Sequence, residues 1–240
     1  MKIIGKDLVQ DAVDLLFPRR CPVCDEPVKW KTLICPGCLP KLKRVREPYC
    51  MRCGKPLADS EQEYCGDCRK GKALYLAGRA LYEYDSAAAS LYRFKYGGRQ
   101  EYAVFFGREM AEAFEGFIKQ TKAEGLLPVP LSKQRFAKRG YNQAALLARE
   151  IGGRISLPVY ENIAERVRDT LPQKMLKPNE RQNNLKRAFK IAQNDVKLST
   201  IIIVDDIYTT GSTINALTEA LQAVGVKKVY FISLSVGSGS

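Results

Sequence analysis

Histidine is missing altogether from this 240-residue chain, and no cysteine follows residue 68. Without imidazole, a zinc ion here would be held by sulfur, with no position left open for water, so hydrolytic zinc chemistry is excluded and a structural ion is expected. Long apolar runs are absent too: nothing approaches the roughly 18 residues that span a bilayer. The opening stretch Met1–Phe17 carries Asp7, Asp11 and Asp14, which the core of a signal peptide would not. The expectation is a cytosolic protein. With 45% hydrophobic and 27% charged residues, the composition excludes disordered, collagen-like and low-complexity classes. The length favours one medium domain and one small one.

All eight cysteines fall in four Cys-x-x-Cys pairs, Cys21/Cys24, Cys35/Cys38, Cys50/Cys53 and Cys65/Cys68. Two thiolates on one turn aim at a common point, and two such pairs make a tetrahedral Zn²⁺ site, whereas a disulfide framework would need an exported chain. The first four cysteines and the last four are spaced almost alike, which reads as two zinc ribbons in tandem. Pro22, Pro36, Gly37, Gly54 and Gly66 supply the turns. Spacing leaves open whether ligation is sequential or interleaved. Ahead of the ribbons, Ile4, Leu8, Ala12, Leu15 and Leu16 recur at helical spacing. This amphipathic helix is expected to pack on its neighbour, with a membrane surface as the alternative. Gly66 to Ala73 imitates a Walker A loop but lacks the hydroxyl that Mg²⁺ requires and the preceding strand, so it is set aside.

From Leu76 onward, strand and helix patterns alternate. Strands are expected at Leu76–Asp85, Gly125–Pro130, Leu157–Ile163, Thr200–Val204 and Lys228–Val236. Helices are expected at Ser86–Tyr96, Tyr102–Gln120, Asn142–Ile151, Asn179–Ile191 and Thr213–Val224. This implies an α/β fold, a parallel sheet with helices on both faces. Gly237 to Ser240 read as an appended linker.

The most informative stretch runs Ile201-Ile202-Ile203-Val204-Asp205-Asp206-Ile207-Tyr208-Thr209-Thr210-Gly211-Ser212-Thr213. Four β-branched residues make a strand buried on both faces, and two carboxylates follow at its carboxyl end, where open α/β sheets bind ligands. Thr209, Thr210, Gly211, Ser212 and Thr213 then offer hydroxyls and backbone N–H groups at a helix start, a cradle for phosphate. Acids that accept hydrogen bonds from a diol, one short loop from such a cradle, describe a ribose 5-phosphate. Capping would account for the threonines but not for the paired acids.

This stretch resembles the type I phosphoribosyltransferase signature that binds phosphoribosyl pyrophosphate (PRPP). Pro128-Val129-Pro130-Leu131-Ser132, the basic run Lys133, Arg135, Lys138 and Arg139 leading to Gly140-Tyr141-Asn142-Gln143, Thr170-Leu171-Pro172-Gln173, Arg181-Gln182-Asn183-Asn184-Leu185, Ala188-Phe189, Phe94-Lys95-Tyr96 and the cysteine module extend the likeness. Together they resemble the ComF family of competence-associated phosphoribosyltransferase-like proteins over nearly the whole chain. The resemblance implies that Asp205 and Asp206 hold the ribose hydroxyls and that Thr209 to Thr213 hold the 5-phosphate. It places Val129, Pro130, Leu131 and Ser132 in a pyrophosphate loop, with Arg135, Lys138 and Arg139 as partners of the diphosphate, and Mg²⁺ riding on the ligand's phosphates. Residues 1–75 would be the N-terminal helix and double zinc ribbon, and 76–236 the phosphoribosyltransferase-like domain.

The net charge of +13 is concentrated: residues 133–190 carry 14 basic and 5 acidic side chains. That exceeds what one diphosphate needs and points to a polyanion such as DNA. Tyr92-Arg93-Phe94-Lys95-Tyr96 interleaves rings and cations in the manner of single-strand binders, though core packing would explain it equally. Three readings follow: a PRPP-binding handler of single-stranded DNA beside the inner-membrane uptake machinery of natural transformation, as the resemblance implies; an active transferase on a nitrogenous acceptor; and a PRPP-sensing adaptor that docks a protein instead of DNA.

Overall fold

A computed structural model describes residues 18–29, 31–71, 73–167, 188–191 and 198–237. The expected helix within Met1–Phe17, the motifs at 170–173 and 181–185, and most of the expected helix Asn179–Ile191 lie outside these residues.

The two ribbons repeat each other bond for bond. Cys21 N donates to Glu26 O at 2.8 Å and Asp25 N to Cys21 O at 2.9 Å; in the second ribbon Cys50 N donates to Lys55 O and Gly54 N to Cys50 O, both at 2.8 Å. Asp25 and Gly54 hold the same place after the first cysteine pair, and both take positive φ (63° and 72°). The knuckle needs a left-handed residue there, which aspartate tolerates and glycine adopts freely. A short helix α1 (Gly66–Lys70) carries the last cysteine.

The main sheet has four parallel strands in the order β1 (Gly78–Glu83), β6 (Lys228–Val236), β5 (Thr200–Tyr208), β2 (Leu126–Pro128). Period-two alternation along β5 divides the core. Ile202 and Val204 join Leu126, Ile232 and Leu234 beneath helices α2 (Tyr84–Tyr96), α3 (Tyr102–Thr121) and α5 (Gln143–Ile155). Ile201 and Ile203 join Leu127, Val229 and Phe231 beneath helix α6 (Ser212–Ala223) and the second ribbon. Helices α3 and α5 approach so closely that a Cβ at Gly107 would lie 2.3 Å from Glu150 Cβ. Both faces of the sheet are thus covered, as a parallel sheet requires.

The ribbons are part of this body. Along the open edge of β1, Val45 N donates to Leu81 O and Glu83 N to Lys43 O, each at 2.9 Å, which satisfies an edge that would otherwise invite pairing with another chain. Asp25 of the first ribbon receives Arg99 Nε at 2.8 Å and Tyr102 Oη at 2.6 Å from the region of α3. Arg93 Nη2 donates to Val23 O at 2.6 Å.

Two expected elements differ. In Leu157–Ile163 only Val159 pairs, through one parallel bridge to Leu126, because Pro158 has no N–H to donate and the chain then turns away. A second sheet instead forms from β3 (Ala164–Arg166) and β4 (Phe189–Ile191), antiparallel, so the end of the expected helix at Asn179–Ile191 is a strand. Lys133–Arg139, a stretch given no element from the sequence, is helix α4, capped by the Ser132 hydroxyl accepting from Arg135 N. No helix among the described residues is long and apolar enough to cross a membrane.

Candidate functional site

The cysteines gather into two sets, Cys21/Cys24/Cys35/Cys38 and Cys50/Cys53/Cys65/Cys68, with each set's sulfurs within 4.8 Å of one another. Pairing is therefore sequential. Four ligands at the Zn–S length of about 2.3 Å form a tetrahedron with edges of about 3.8 Å. The separations between Cys24 and Cys35 sulfurs, 3.8 Å, and between Cys53 and Cys65 sulfurs, 3.6 Å, fit that figure. Electrostatics agree: hydrogen bonding from Cys53 and from backbone N–H groups pushes the Cys50 thiol down to about 4, whereas burial and the neighbouring thiolates push Cys68 up to about 12. Four thiolates cannot share so small a space without a cation. All four cysteines in each set would hold Zn²⁺ structurally.

The second set is built into the domain beyond it. Cys50, Cys53 and Cys68 are buried in the same core as Tyr75, Tyr208 and Phe231. Tyr208 stacks on Phe231 with centroids 4.6 Å apart, and its hydroxyl lies 2.7 Å from that of Tyr75. Tyr208 is the last residue of β5, so the zinc ribbon props the strand end from below.

Above that prop stand the two aspartates. Strand β2 leaves β5 at the Pro128–Val204 pair, while β6 stays paired to Tyr208. Asp205 and Asp206 consequently rise beyond the shorter neighbour. Asp206 N donates to Asp205 Oδ1 at 2.8 Å. Burial, with the Asp206 charge next to it, pushes Asp205 up to about 7, against the pull of Lys95 and Arg166. Asp206 meets Lys95 at the end of α2, with Nζ 3.1 Å from Oδ2.

Thr209 and Thr210 are exposed and lead to Gly211, whose φ of 76° turns the chain into α6. A Cβ there would lie 2.7 Å from Tyr208 Oη, so glycine is required by space as well as by conformation. No side chain caps α6; the Thr210 hydroxyl donates instead to Ser212 Oγ at 3.2 Å. The first N–H groups of the helix are thus left to an outside acceptor, at the positive end of its dipole. Threonines in this loop do not do the capping that would have explained them away.

Val129 is buried and its N–H donates to Val204 O at 2.9 Å, so the segment Val129-Pro130-Leu131-Ser132 leaves the sheet one residue below the acids. Arg135, Lys138 and Arg139 follow on α4. Arg139 turns towards α2: its guanidinium lies 4.9 Å from the Tyr96 ring centroid and donates to Tyr96 Oη at 3.1 Å. The five-residue run from Tyr92 to Tyr96 separates into four roles. Phe94 is core, Arg93 grips the first ribbon, Lys95 meets Asp206, and the Tyr92 and Tyr96 rings are exposed with centroids 5.3 Å apart.

Comparison with known proteins bears on both halves. A double zinc ribbon domain family matches residues 12–69 and a phosphoribosyl transferase domain family matches residues 135–236. Competence protein F of Haemophilus influenzae is 31% identical over 209 residues, covering 83% of this chain and 88% of that protein. Competence protein ComFC of Bacillus subtilis is 30% identical over 224 residues, covering 85% and 89%. The chain belongs to the ComF family. A further relative, the DNA utilization protein YhgH of Salmonella typhimurium, is 28% identical over 222 residues, covering 90% of this chain and 96% of that one. In this ComF-family chain the two matched regions meet through the core shared by the second cysteine set and Tyr208. Sequence reading did not find that junction, nor Lys95 as the partner of Asp206: both join residues remote in sequence, and no local motif marks them.

Proposed function

We propose that the chain binds PRPP at the carboxyl end of β5. Asp205 and Asp206 accept hydrogen bonds from the ribose hydroxyls, and Thr209, Thr210, Gly211, Ser212 and Thr213 receive the 5-phosphate. The diphosphate lies towards Val129–Ser132 and the cations of α4, with Mg²⁺ bound chiefly to the ligand's own oxygens. The observation that carries this reading is the uncapped start of α6 beside two acids that extend past the end of β2. An anion seat and a diol seat one short loop apart match the two ends of a pentose phosphate.

The same reading extends to single-stranded DNA and to work in the cytosol beside the inner-membrane uptake machinery. The names of the relatives support it, as do the cationic stretch 133–190 and the exposed pair Tyr92 and Tyr96 next to Arg139. Bases stack on such rings while cations follow the phosphates. Replacing Tyr92 and Tyr96 with alanine is expected to weaken oligonucleotide binding by roughly 1–3 kcal/mol per stacked base, about five- to a hundredfold each. Charge reversal at Arg135, Lys138 and Arg139 should flatten the dependence of affinity on salt. Fluorescence anisotropy with labelled oligonucleotides at several salt concentrations checks both, and unaltered affinity and slope would remove DNA from this face.

A further inference from the structure

The end of α2 is held by the segment that carries the cations of α4. Tyr141 Oη donates to Phe94 O at 2.6 Å, Gln143 Nε2 donates to the same oxygen at 3.3 Å, and Arg139 reaches the Tyr96 hydroxyl. Asn142 Nδ2 ties this segment back to Val129 O at 3.0 Å. Lys95 therefore stands between two anchored neighbours. Its side chain is 17% exposed and that of Asp206 13%, so the ion pair is largely withdrawn from water. An ammonium in such a place needs an anionic partner at all times, since a buried charge left alone is costly.

Ribose hydroxyls that donate to Asp206 share its oxygens with Lys95 and bring no charge of their own. Ribose 5-phosphate brings one anion, which the start of α6 receives, and brings none to Lys95, whose hold on Asp206 the hydroxyls have loosened. A sugar that also carries a diphosphate on C1 supplies a replacement anion on the side facing Val129–Ser132 and α4. We propose that Lys95 is a specificity-determining residue: it neutralises Asp206 in the free site and passes to the diphosphate when ligand binds, so that the site favours PRPP over ribose 5-phosphate. The assignment rests on the PRPP reading above and adds the rule by which the site rejects a monophosphate.

The test is a pair of titrations on the zinc-loaded full chain with Mg²⁺, one with PRPP and one with ribose 5-phosphate, for the parent, Lys95→Met and Lys95→Arg. The parent should favour PRPP. Lys95→Met should lower the affinity for PRPP at least tenfold and leave that for ribose 5-phosphate unchanged or raised, because no ion pair has to be broken. Lys95→Arg should restore most of the preference. Should Lys95→Met fail to hold zinc, Lys95→Gln supplies the same ratio. An equal loss for both sugars, or no loss for either, with the parent binding PRPP, overturns the role of Lys95 alone. A parent that binds neither sugar overturns the PRPP reading and this proposal together.

Discussion

Replacing Asp205 and Asp206 together with asparagine is expected to abolish PRPP binding at pH 8, by at least about a hundredfold, and Asp205→Asn alone is expected to raise the melting temperature at that pH. The binding loss follows from removing two ionic acceptors, since hydrogen bonds to charged groups contribute about 1.5–3 kcal/mol each. The stability gain follows from Asp205, which holds its proton up to about 7 in the folded chain. An unfolded aspartate gives up its proton near pH 4. Between those values the unfolded state releases a proton that the native state keeps, so this group lowers stability as pH rises from about 4 to about 7. Asparagine at 205 alone removes that loss and keeps Asp206 as the partner of Lys95. The gain should be clear at pH 8 and vanish at pH 4, worth on the order of 1 kcal/mol or more, about 2–4 °C per kcal/mol for a chain of this size. Calorimetry and melting curves at both pH values check the pair of effects. Full retention of affinity by the double variant would dismiss the acid pair as the sugar site; a fall in the stability of Asp205→Asn at pH 8 would show that this carboxylate serves the fold. Residues kept for a ligand at a cost in stability are common at functional sites.

The two cysteine sets should differ sharply when broken. Cys53 lies fully buried in the core that holds Tyr75, Tyr208 and Phe231, whereas Cys24 is exposed. Structural zinc contributes on the order of 10 kcal/mol to folding in small modules. Cys53→Ser is expected to cost at least about 3 kcal/mol, a fall of roughly 6–12 °C in melting temperature. It should also weaken PRPP binding, because the Tyr75–Tyr208 contact that props the strand end goes with it. Cys24→Ser should release its zinc with a smaller fall and leave PRPP affinity nearly unchanged. Zinc content, melting and titration of the two variants decide the matter. Equal losses of affinity, or none, would mean that the second ribbon does not support the site.

Much of this arrangement was legible in the sequence because it is local. The tandem cysteine pairs encode their own turns, and Ile201–Val204 with the acids and the threonine-rich loop encodes strand and helix start within one short segment. What was not legible depends on tertiary contact. Lys95 reads as one cation among rings, and only the packing of α2 against the end of β5 shows that Asp206 is its partner. Tyr208 reads as an unremarkable strand residue until Tyr75 meets it from the far side of the sheet. The basic run after Ser132 gave its charge but not its helix, since the serine cap and the exposed face of α4 form no apolar stripe. Pro158 defeated the strand expected at Leu157–Ile163 by withholding a donor, although the apolar pattern there was right.

The claim on which the rest depends is that the end of β5 and the start of α6 together seat a phosphorylated pentose. Isothermal titration of PRPP with Mg²⁺ into the zinc-loaded chain tests it most directly. Saturable one-to-one binding, weaker for ribose 5-phosphate and lost when Asp205 and Asp206 are asparagine, is the expected result. Absence of saturable heat with PRPP, from a chain that holds its zinc and melts cooperatively, would contradict it.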